Sequence, residues 1–198
     1  MTRLLIATTN AGKLWEISPM LSGLPCALVT LADWPDLAAP EETGLTFEEN
    51  ARLKALYYAK ATGLLTVADD SGLEIDALDG APGVASARFG GADSSYPEKF
   101  ALLYEALRTK GDVESPARFV CAVALARDGR IVFETRGVVE GRIAREPKGD
   151  GGFGYDPIFF YPPFGQTLAE VGDRKYEVSH RGVAFRALRQ YLDQRPQA

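Results

Sequence analysis

The chain has 198 residues, 46% of them hydrophobic and 25% charged, which is the make-up of a soluble globular protein and the length of one domain. Its net charge of −5 argues against a protein that wraps nucleic acid, because phosphate neutralisation supplies most of that affinity; a few converging cations and a metal ion can still hold a small anion. Cys26 and Cys121 form no C-x-x-C pair and sit in apolar runs, which reads as reduced core thiols rather than a disulfide framework or a zinc ribbon.

In chain order, the start carries one arginine and an apolar run too short for a signal peptide or a membrane span, so a cytoplasmic location without membrane contact is expected. Leu4–Thr8 reads as a buried strand. Leu14, Ile17 and Leu21 then have helical spacing, and Gly23-Leu24-Pro25 stops that helix. Cys26–Leu31 reads as a second strand, and the proline- and acid-containing stretch Asp33–Thr43 as a loop. Thr46-Phe47-Glu48-Glu49 has the form of a capping box, opening a helix to about Ala61 that Thr62-Gly63 ends. Leu64–Ala68 is a buried-strand run that breaks off at Asp69-Asp70-Ser71-Gly72. Tyr96–Leu107 is amphipathic and helical. Ala117–Ala126 and Ile131–Val139 flank Asp128-Gly129, a hairpin signal. A glycine-rich loop follows Arg145, then the aromatic run Phe159-Phe160-Tyr161, and Ser179 can cap a last helix reaching Leu192. Alternating strands and helices followed by a long hairpin predict an α/β fold with a mixed sheet, and no linker divides residues 1–198 into independent domains.

Five polar clusters interrupt these elements. Thr8, Asn10 and Lys13 sit where a strand turns into a helix, a place that favours anions; the alternative is an ordinary junction with a surface lysine. Asn50 and Lys54 share one helix face, with Glu42 just before that helix; this is either a metal-and-phosphate site or a solvated face. Asp69-Asp70-Ser71-Gly72 at a strand end suits a hard divalent cation or a water-activating carboxylate, and equally a capped turn. Strand alternation turns only one of the two aspartates toward a given cleft, and spacing does not say which. Gly149–Gly154 matches G-x-G-x-x-G, but the Tyr155-Asp156-Pro157 that follows cannot open the helix a dinucleotide fold needs. The loop instead offers Phe153 and Asp156, an aromatic face and an acceptor. Lys175 with Ser179-His180-Arg181 gives fixed donors at a helix start; His180 is the only histidine, which excludes a histidine-rich metal site. A lone Asp70-Ser71-Gly72 also lacks the second copy that an aspartic protease needs within one chain.

Taken together, the ordered segments Thr8–Lys13, Glu42–Phe47, Glu49-Asn50-Ala51 with Lys54, Asp69–Gly72, Gly80–Gly83, Ser86-Ala87-Arg88, Gly151–Phe159 and Ser179–Gly182 span nearly the whole chain, and in that set it resembles the inosine triphosphate pyrophosphatase family. Ala85 departs from the pattern, standing where family members often carry an aromatic residue. The resemblance implies a mixed central β-sheet flanked by helices, with two lobes around a cleft, a homodimer, and dependence on Mg2+. It implies hydrolysis of ITP, dITP and XTP to the monophosphate and pyrophosphate. It assigns Thr8, Asn10 and Lys13 to the triphosphate, Glu42 and Asp70 to the metal, Asp70 also as the base, and Lys54 to the phosphates near the scissile bond. Ser71, Phe153, Gly154, Tyr155, Asp156, Lys175, His180 and Arg181 form the implied nucleoside pocket. Other readings are a pyrophosphatase for modified pyrimidine nucleotides and a nucleotide sensor that does not turn over; against the sensor, mere binding needs no water-activating carboxylate.

Overall fold

The computed structural model describes residues 2–91 and 93–194. The strands are β1 (Arg3–Ile6), β2 (Ala27–Thr30), β3 (Leu65–Ile75), β4 (Pro116–Arg127), β5 (Arg130–Ile143), β6 (Phe159–Tyr161) and β7 (Gln166–Thr167). The helices are α1 (Ala11–Leu21), α2 (Phe47–Thr62), α3 (Tyr96–Lys110), α4 (Lys175–Val178) and α5 (His180–Asp193), with short 3-10 turns between elements. The sheet order is β2-β1-β3-β4-β5-β6-β7. β1 runs parallel to β2 and β3, whereas β6 runs antiparallel to β5 and β7, so the sheet is mixed, as expected.

Local chemistry explains the boundaries. Thr46 and Glu49 close the anticipated capping box on α2, and Ser95 and Glu98 close a second one on α3. Asp128 and Gly129 both take positive φ, the conformation a tight two-residue hairpin turn between β4 and β5 requires. Ser179, in extended conformation, directly precedes α5.

β3 departs from its expected form. It does not stop before Asp69 but continues through the acidic pair to Ile75. The buried Leu73 and Ile75 resume the apolar alternation, and both acids find cationic partners. β1 is shorter: Leu4 to Ile6 pair with Leu65 to Val67, and Ala7 N–H donates to Val67 C=O at 2.8 Å. Asp69 and Asp70 therefore lie just past the carboxyl end of β1, where ligand sites of parallel sheets occur, although they are interior to β3.

The chain divides into two compact units, the counterpart of the two expected lobes. The first comprises Met1–Asp70, Cys121–Gly137 and His180–Ala198. Its core packs Leu4 and Ile6 of β1, Ile17 and Leu21 of α1, Cys121 and Val123 of β4, and Phe185 and Leu188 of α5. The second comprises Ser71–Val120 and Val138–Ser179, around Leu73, Leu103, Leu107, Phe119, Ile143 and Phe159. Both cysteines are buried and free, as read from the sequence.

Candidate active site

In the first unit, α1 begins at a cap: Asn10 Oδ1 accepts from the Lys13 N–H at 3.1 Å, and Thr8 Oγ1 accepts from the Asn10 N–H at 3.2 Å. Three helical positions set Lys13 over β3, where its ammonium lies 2.8 Å from Asp69 Oδ2. Asp69 is fully enclosed. Burial pushes its carboxyl up, but Lys13, Arg181 and Lys54 outweigh that and hold it well below the usual carboxylate range. Arg181 of α5 is itself buried, in ion pairs with Glu16 of α1 and, at 3.6 Å, with Asp69. His180 is buried beside it in the chain.

Asp70 faces other partners. Lys54 Nζ, projecting from α2, is 2.7 Å from Glu42 Oε1 and 3.0 Å from Asp70 Oδ1. One ammonium thus gathers two carboxylates. Asn50, one helical turn before Lys54, donates to Asp70 Oδ2 at 3.2 Å and accepts from the Gly44 N–H at 2.8 Å. That pairing fixes the segment carrying Glu42 against α2. A side chain at Gly44 would meet Asn50 Oδ1 at 2.7 Å, so only glycine permits the approach. Burial raises the Asp70 carboxyl above its ordinary value, with Glu42 adding to the rise against the pull of Lys54 and Lys13. Burial works to lower the Lys54 ammonium, yet Asp70, Asp69 and Glu42 together hold it above its usual value.

In the second unit, Asp156 Oδ2 accepts from the Phe153 N–H at 2.8 Å and from Lys175 Nζ at 2.6 Å, and Lys175 Nζ lies 4.7 Å from the centre of the Phe153 ring. Asp156 and Lys175 are buried. Gly152, at φ 70°, could not bear a side chain, since its Cβ would fall 2.2 Å from Asp156 Oδ2. Gly154 also has positive φ and leads to Tyr155, whose hydroxyl donates to Ser86 C=O at 2.7 Å. Ser71 is half-buried in β3, next to Asp70 in the chain and pointing to the other face of the strand.

The expected residues therefore gather in two sets: Lys13, Glu42, Lys54, Asp70 and Arg181 in one unit, and Phe153, Asp156 and Lys175 in the other. Sequence reading missed Glu16 and Cys121. Glu16 had a signal, a charge on the apolar face of α1 between Lys13 and Ile17; Cys121 Sγ, 3.8 Å from Asp69 Oδ2, had none.

The donor set suits a hard cation. Glu42 and Asp70 each place a carboxylate oxygen on the Lys54 ammonium, and among the described residues no group of three histidine, cysteine or acidic side chains is placed to hold a metal ion by itself. Mg2+ takes one or two carboxylates and completes its shell with water and substrate phosphates, so these two residues fit it.

Comparison with known proteins follows the same lines. The model of the Ham1 family matches residues 4–191. A dITP/XTP pyrophosphatase of an Exiguobacterium species is 50% identical over 187 residues, 94% of each chain. One from Geobacter sulfurreducens is 48% identical over 193 residues, 97% of each chain. The solved structure of a HAM1 protein from Coxiella burnetii superposes with a TM-score of 0.92 at 40% identity, covering 98% of this chain and 100% of the other.

Proposed function

The chain belongs to the Ham1 family, and on that premise we propose that it is a nucleoside-triphosphate pyrophosphatase of the nucleotide pool. It hydrolyses non-canonical purine nucleoside triphosphates, ITP, dITP and XTP, to the monophosphate and pyrophosphate. The observation that carries the reading is the convergence of Glu42 and Asp70 on the Lys54 ammonium, at 2.7 and 3.0 Å.

Water attacks the α-phosphorus and pyrophosphate leaves, a reaction that asks the protein for positioning and charge neutralisation more than covalent help. Lys13 holds the triphosphate together with Thr8 and Asn10 at the head of α1. Glu42 and Asp70 would hold a magnesium ion, which would supply charge neutralisation at the phosphate oxygens. Asp70 orients the attacking water and takes its proton, the part a positioned carboxylate plays in general base catalysis. Lys54 keeps Asp70 in place and contacts the phosphates near the bond that breaks. Asn50 fixes the second oxygen of Asp70, so the carboxylate cannot rotate freely.

On the nucleoside, Phe153 stacks against the base, and its ring is held by Lys175 and by the loop that Asp156 closes. Gly154 and Tyr155 shape that loop, and Ser71 completes the nucleoside contacts. Hypoxanthine and xanthine present an O6 acceptor and an N1–H donor. Asp156 accepts from N1–H, directly or through water. Adenine reverses both polarities and leaves buried groups unpaired, at roughly 1–3 kcal/mol each. The reading further includes a homodimer, a cytoplasmic location, a substrate that is a small nucleotide rather than nucleic acid or membrane, and residues 1–198 acting as one pyrophosphatase domain.

A panel of nucleoside triphosphates incubated with Mg2+, with pyrophosphate and phosphate release measured separately, tests this. Pyrophosphate from ITP, dITP and XTP is the expected result. Pyrophosphate from modified pyrimidine nucleotides alone assigns the chain to a different substrate class, and binding without turnover makes it a sensor.

A further inference from the structure

We propose that Asp69 is a positioning residue for Lys13: its buried carboxylate fixes the Lys13 ammonium at the head of α1, and it serves neither as the base nor as a metal ligand. The inference rests on the reading that Lys13 holds the triphosphate.

Asp69 and Asp70 are neighbours in an extended strand, so their side chains leave opposite faces. Their partners differ accordingly. Asp70 meets Lys54 and Asn50, whereas Asp69 Oδ2 meets Lys13 at 2.8 Å, Arg181 at 3.6 Å and the Cys121 thiol at 3.8 Å. Asp69 Oδ1 is enclosed and accepts no hydrogen bond among the described residues. A hydrated cation that also binds phosphates needs a ligand open to solvent, and the Asp69 side chain is 1% exposed. The Lys13 side chain is 14% exposed, so it remains reachable while its base is anchored. A lysine is a mobile point charge on a four-carbon stem, and holding it in place before substrate arrives removes the ordering cost from binding. The Asn10 cap orders only the backbone at Lys13. Asp69 is the group that orders the ammonium.

The test is a double-mutant cycle on the full chain with ITP and Mg2+, reading kcat, KM and the melting temperature of Lys13→Met, Asp69→Asn and the pair. Lys13→Met raises KM about tenfold or more. Asp69→Asn raises KM by a similar factor with kcat within about threefold of the parent, and the double variant is no worse than Lys13→Met. A residue that only supports the fold gives additive losses instead. Should Asp69→Asn not fold, the double variant, which removes both charges of the pair, is compared with Lys13→Met alone. Equal kinetics support the proposal, and a further tenfold loss overturns it. A hundredfold fall in kcat at unchanged KM in Asp69→Asn also overturns it, since that is the mark of a group acting on the reacting atoms. If Lys13→Met leaves KM unchanged, the assignment of Lys13 to the triphosphate fails and the role of Asp69 fails with it; the other contrary outcomes leave that assignment intact.

Discussion

The two units use charge in opposite ways. In the first, two lysines and an arginine are interleaved with four carboxylates, those of Glu16, Glu42, Asp69 and Asp70, and one carboxylate, Asp70, is held above its ordinary pKa while its neighbour Asp69 is held below. In the second, the buried pair Lys175 with Asp156 stands under an aromatic ring, and Asp156 also accepts from the Phe153 N–H in the glycine-rich loop. The difference teaches that, on the proposed reading, the unit rich in interleaved charges suits a polyphosphate, whereas a stacking surface with a few fixed polar atoms suits a flat base.

The largest expected effect breaks the second unit. Lys175→Met removes the ammonium 2.6 Å from the buried Asp156 carboxylate, and removing one member of a buried pair costs about 3–5 kcal/mol; denaturant unfolding of the variant measures it as a lowered midpoint. In the first unit, Asp70→Asn lowers the turnover of ITP by about 10²–10³-fold with the melting temperature near that of the parent. Parental turnover in that variant removes Asp70 from the chemistry. Phe153→Ala raises KM for ITP roughly tenfold with little change in kcat, because stacking on a base is worth about 1–3 kcal/mol; steady-state kinetics separate the two constants. The smallest effect is on acid stability. The folded pKa of Asp69 is depressed, so its stabilisation is complete above the unfolded value of about 3.9 and fades as pH falls below it. Thermal melts from pH 6 down to pH 3 should therefore fall more steeply for the parent than for Asp69→Asn.

Much of this was legible where neighbours in sequence decide the outcome. The capping box of α2 and the Asp128-Gly129 hairpin both follow from residues a few positions apart. The end of β3 was not legible. Two adjacent aspartates look like a turn until Lys13 of α1 and Lys54 of α2 arrive from distant parts of the chain to neutralise them. The same holds for which aspartate faces which partner: alternation separates Asp69 from Asp70, but only packing decides that Asp70 shares Lys54 with Glu42. The partner of Glu16 was hidden for a related reason, since Arg181 lies at the other end of the sequence.

Hydrolysis of ITP with Mg2+ in 18O-enriched water tests the central claim most directly, because the position of the label marks the phosphorus that water attacks. Attack at the α-phosphorus, as the proposed pyrophosphatase reaction requires, puts the label in the inosine monophosphate and leaves the pyrophosphate unlabelled. Label in the pyrophosphate, or release of labelled orthophosphate, contradicts the account.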